Sequence, residues 1–145
     1  MVDIESYVFT KIAEAILEEH PDAVILGDYI EELSSFPTIT VTEIGNATLR
    51  RMQDEELTEH YATITYEVNV YCNDRTWKKA GCKSILRIVD EVMLGMKFTK
   101  GLQRQLPAID HSRTVYRMYA RYTAVVDEGT ESEDGETITH QIYRG

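Results

Sequence analysis

The chain has 145 residues, 43% of them hydrophobic and 28% charged, with a formal net charge of −10. That is enough for one compact domain, spanning residues 1–145, and too little for two ample cores. No apolar run approaches the roughly 20 residues of a membrane helix, and MVDIESYVFTKIAEAI lacks the basic and apolar regions of a signal peptide. Cys72 and Cys82 form no CxxC pair. The expectation is a chain made in the cytoplasm, with reduced thiols, no bound metal and no membrane association.

In chain order, Ile4, Val8, Ile12 and Ile16 recur every four residues and the pattern closes at His20-Pro21, which predicts an amphipathic helix over residues 3 to 20. The apolar run 23 to 26 is a loop or a short strand. TITVTEI (38 to 44) is rich in β-branched residues and reads as a strand. HYATITYEVNVY (60 to 71) alternates Ala62, Ile64, Tyr66, Val68 and Val70 against Tyr61, Thr63, Thr65, Glu67, Asn69 and Tyr71, the pattern of a half-buried strand. Between these two strands the connection at 45–59 is long for a hairpin and reads as a projecting arm.

Asn73-Asp74 caps a second helix in which Trp77, Ala80, Gly81, Ile85, Ile88, Val92 and Met96 trace one face and Lys79, Lys83 and Arg87 another. Small residues at 80, 81 and 84 suit close approach to a sheet. KFTKGLQRQLPAID enters a further strand that breaks near Pro107. In TVYRMYARYTAVVD the set Tyr116 to Val126 alternates with Val115, Arg117, Tyr119, Arg121, Thr123 and Val125, so residues 113–126 form a long strand with its arginines opposite the core. An acidic turn (127–135) and ETITHQIY (136 to 143) complete a terminal hairpin. The fold class this order predicts is α+β, with two helices on one face of a mainly antiparallel sheet and a long projecting hairpin connection.

Charge is segregated along the chain. Residues 1 to 59 carry 14 acids and 3 bases, residues 60 to 126 carry 5 acids and 11 bases, and residues 127 to 145 carry 6 acids and 1 base. A basic body flanked by acidic segments suits a surface that meets a complementary one. The candidate interface residues are therefore Arg113, Arg117 and Arg121 with the interleaved Tyr119, the helical stripe Lys79, Lys83 and Arg87, and Glu55 and Glu56 as opposing charges. A pI near 4.8 speaks against dedicated nucleic-acid reading.

Little in the sequence points to catalysis. Asp110, His111 and Ser112 are consecutive, and neighbours in extended chain point to opposite faces, so they make no triad. The four histidines have no metal-ligand spacing, and no P-loop or nucleophile elbow is present. The expectation is a protein that is not an enzyme and has no cofactor.

FPTITVTEIGN, YATITYEVNVYCND, VDEVMLGMKFTKG and TVYRMYARYTAVVDE, in that order, resemble the tail terminator proteins of long-tailed bacteriophages, also called tail completion or minor capsid-type proteins. The resemblance covers most of residues 1 to 128. It implies a structural virion protein at the tail–neck junction, a homo-oligomeric, commonly hexameric, ring that caps the tail tube protein and joins it to the head–tail connector. Genome DNA would pass through the lumen without sequence-specific binding. The alternatives are another neck ring protein, an adaptor or a stopper, or a small monomeric module that binds an acidic ligand.

Overall fold

A computed structural model describes residues 3–27, 37–48, 61–73, 79–106, 115–127, 130–131, 138–139 and 142–144. The elements run α1 (Glu5–Glu19), β1 (Val24–Leu26), β2 (Thr38–Thr48), β3 (Tyr61–Asn73), α2 (Lys79–Gly95), β4 (Thr99–Leu106), β5 (Val115–Asp127), β6 (Thr130–Glu131), β7 (Ile138–Thr139) and β8 (Ile142–Arg144). The sheet order is β1-β2-β3-β5-β4, and β8 adds to β5 beyond the end of β4. Every pairing is antiparallel except β1 with β2. This is the expected α+β arrangement.

The period-two pattern of β3 and β5 places Ile64 opposite Ala124, Tyr66 opposite Tyr122, Val68 opposite Ala120 and Val70 opposite Met118. Ile39 and Val41 of β2 extend this apolar surface. Both helices close over it: Val8, Ile12 and Ile16 of α1 and Cys82, Ile85, Leu86, Val89 and Met93 of α2 join the sheet residues in one buried cluster. Burial of this kind is the main favourable contribution to folding.

Several expectations need correction. The inward face of α2 is wider than the predicted one: Cys82, Leu86 and Val89 are buried beside the expected Gly81, Ile85 and Ile88, whereas Ala80 and Ser84 are exposed. Only Gly81 of the three small residues points inward. The strand predicted over 38 to 44 runs on to Thr48 because the register shifts between Glu43 and Gly45, leaving Ile44 outside the alternation and 40% exposed. In the terminal segment Ile138–Thr139 pairs with β6, and Ile142–Arg144 pairs with β5.

α2 ends in a tight reversal. The Phe98 N–H donates to the Met93 carbonyl at 2.9 Å and the Lys97 N–H to the Leu94 carbonyl at 3.0 Å, with Lys97 at φ 72°. Phe98 and Met93 are both fully buried, the apolar contact that accompanies this type of helix end.

Candidate functional site

On the sheet face opposite the helices, register aligns Tyr71 with Arg117, Asn69 with Tyr119, and Glu67 with Arg121. Opposed residues on antiparallel strands are near enough to interact through their side chains. Arg121 Nε donates to Glu67 Oε2 at 3.0 Å, Asn69 Nδ2 to Glu67 Oε1 at 3.1 Å, and Arg117 Nε to Asn69 Oδ1 at 3.0 Å. The guanidinium of Arg117 stacks over Tyr71 and that of Arg121 over Tyr119, each 5.6 Å from the ring centroid. The result is one connected polar ladder across β3 and β5.

Burial across the ladder is uneven. Asn69 is fully buried, as is Thr40 on β2, which pairs with it. The Glu67 side chain keeps 8% of its surface exposed while its partner Arg121 keeps 45%, so the pair turns its positive end outward. The hydroxyls of Thr40 and Thr42 are buried without a hydrogen-bond partner.

Arg117, Tyr119 and Arg121 therefore share the non-helix face, as their alternation requires. The carboxylate that Arg121 meets is Glu67 of its own chain. Arg113, Glu55, Glu56 and the 45–59 arm beyond Thr48 lie outside the described residues, as do Asp110, His111 and Ser112. Lys79 begins α2, and Lys83 and Arg87 are exposed one turn apart on that helix. They are on the helix layer, so the structure does not merge the two basic groups into one patch.

Glu67 and Asn69 are the residues that sequence reasoning missed. Their alternation put them on a presumed solvent face, and only the β3–β5 register shows that they complement the arginines.

The helix-side face has its own polar anchors. The Tyr122 phenol donates to Asp90 Oδ1, and Lys100 Nζ donates to Asp90 Oδ2 at 2.9 Å, tying α2 to β4 and β5. Tyr66 donates to Glu43 Oε1 at 3.2 Å. Burial and the acceptor carboxylates hold both phenols well above the usual tyrosine range. The Cys72 thiol is likewise raised, by its hydrogen bond with Cys82 and by burial, and the same bond lowers Cys82. Among the described residues no group of His, Cys, Asp and Glu has the arrangement of a metal site, and no helix is long and apolar enough to cross a membrane.

No protein-family model matches the chain, and a search of curated proteins finds no match either.

Proposed function

We propose that the chain is a structural ring subunit of the long-tailed bacteriophage neck, of the tail terminator type, which caps the tail tube and joins it to the head connector. The observation that carries this reading is the lateral separation of charge. α1, β1 and β2 make one flank, which carries Glu14, Glu18, Glu19, Asp22 and Glu43 against Lys11. β5, β4 and α2 make the other, which carries Lys83, Arg87, Lys97, Lys100, Arg104, Arg117 and Arg121 against Asp90, Glu91 and Asp127. Among the described residues the segregation along the chain is therefore also a lateral one.

A ring closes through heterologous contacts, in which one surface meets a different surface on the next copy. Opposite charges on opposite flanks serve that geometry and select against the isologous pairing of like flanks. The segment order quoted above adds the resemblance to tail terminators. A monomeric module gripping an acidic ligand with Arg117 and Arg121 fits less well, since both Nε donors are already engaged by Asn69 and Glu67.

Light scattering over a concentration series tests this reading. The expected result is a closed oligomer, a hexamer by the resemblance, either free or on added tail tubes. A chain that is strictly monomeric both alone and in purified particles overturns it. Binding to isolated tail tubes rather than to isolated connectors separates a terminator from an adaptor or stopper.

A further inference from the structure

Cys72 follows Val68 and Val70 along the helix-side face of β3, at the strand period of two, and Cys82 stands in the first turn of α2. Both are free thiols, fully buried in the same apolar cluster. Two backbone contacts fix where the Cys82 sulfur lies: it donates to the Val70 carbonyl at 3.8 Å and to the Tyr116 carbonyl at 3.7 Å. Those carbonyls flank Cys72. Val70 precedes it by two residues on the same face, and Tyr116 is the residue opposite it in the β3–β5 register. The Cys82 sulfur is thereby set over the Cys72 position, and the two thiols share a hydrogen bond.

A single buried cysteine acts as a small apolar filler. Two in contact, one from a strand and one from the helix above it, can also be joined to each other. Their shared hydrogen bond eases loss of the Cys82 proton and holds the proton on Cys72, and the sulfur that ionises first is the nucleophile. Cys82 is also the easier of the two to reach. It is the fourth residue of α2, beside the exposed Lys83, and helix ends open at lower free energy than helix middles.

We infer that Cys72 and Cys82 are a redox pair, joined by peroxide into a disulfide that staples the first turn of α2 to the end of β3 and released again by thiols. In the first step the Cys82 sulfur attacks one peroxide oxygen and the O–O bond breaks. The departing hydroxide leaves as water with the former Cys82 proton, and Cys82 becomes a sulfenic acid. The Cys72 sulfur then attacks that of Cys82, forming the S–S bond as the S–O bond breaks, and the second hydroxide takes the Cys72 proton. Two thiols lose two electrons in all, and hydrogen peroxide gains them as two waters.

Treating the folded chain with hydrogen peroxide, alkylating it in denaturant and weighing it tests the pair. The expected product takes up no alkylating reagent, is lighter than the untreated chain by the mass of two hydrogens, and yields a peptide that joins Cys72 to Cys82. Dithiothreitol should restore both thiols. The far-UV spectrum should be unchanged and the melting temperature higher by about 5 °C or more, because the link restricts the unfolded chain. In Cys72→Ala the other sulfur has no partner and should stop as a sulfenic acid that dimedone traps; a missing adduct in that folded variant overturns the role given to Cys82. The unaltered chain decides the rest without any variant. Two thiols still open to alkylation, cysteines joined between chains, or a linked chain that melts below the reduced one each overturn the inference. The pair lies within one subunit, so none of these outcomes depends on assembly into a ring.

Discussion

β3 and β5 run side by side for 13 residues each, and the two faces of that ribbon bury their side chains by different physics. On the helix side Val68 is fully buried among aliphatic groups; on the other side Asn69, the next residue, is buried just as completely among polar ones. The first face gains from removing apolar surface from water, which is non-directional and tolerates changes of shape that keep volume. The second depends on directed bonds, from Arg117 through Asn69 to Glu67 and from Arg121 to Glu67 directly. There the cost of losing one partner exceeds the net gain of having both, since the remaining group is left buried and unmatched.

The largest effect that separates the faces should come from Ile64→Ala. It removes a fully buried side chain from the helix side and should cost about 2–5 kcal/mol in denaturant unfolding. Thr65→Ala, the next residue and on the other face, loses the hydroxyl contact with Thr123 and should cost far less. If the two costs are alike, the comparison fails.

Next is Arg121→Ala. Because it strips Glu67 of its cationic partner, the expected loss is about 1–3 kcal/mol, more than an exposed ion pair would give. Adding Glu67→Gln should recover part of that loss, since no buried charge then remains and the amide oxygen can still accept from Asn69 Nδ2. A double variant as unstable as the single one would show that the ladder contributes through shape alone.

Tyr66→Phe should have a smaller effect, about 0.5–1.5 kcal/mol, because it removes one phenolic hydrogen bond and leaves a half-buried acceptor. The T-shaped contact between the ring of residue 66 and Phe98 is retained. The smallest expected effect is that of Glu43→Gln. The Glu43 carboxyl titrates above its ordinary value of 4.5, so its ionisation costs the folded state more than the unfolded one. Stability therefore falls as pH rises through the interval above 4.5, and the glutamine variant should melt slightly higher than its parent at about pH 7 and equally at about pH 3. A benefit that persists at the lower pH would come from something other than the charge.

Much of the fold was legible because its strongest elements are strongly periodic. Ile4, Val8, Ile12 and Ile16 mark α1, and the alternation in β3 and β5 assigns each side chain to a face before any pairing is known. The register is less accessible. Nothing local in TVYRMYARYTAVVD says that Arg121 sits opposite Glu67 rather than Thr65, because that choice is made by the whole apolar face at once. The full width of α2's inward face was missed for a related reason. Gly81 and Cys82 are adjacent, and whether the buried stripe through Ile85 and Ile88 extends toward Ala80 or toward Cys82 depends on the position of the sheet.

The reversal at Lys97 has a mechanical consequence. Only Met96, Lys97 and Phe98 separate the last residue of α2 from the first of β4, and two backbone hydrogen bonds brace that short hinge. Lys100 then reaches back from β4 to Asp90, about one and a half helical turns before the end of α2. A load applied along β4 has no slack chain to take up and no independent path to solvent. It passes into α2 as tension at Asp90 and Phe98, so the outermost long strand of the sheet and the helix above it are expected to bear force as one rigid beam.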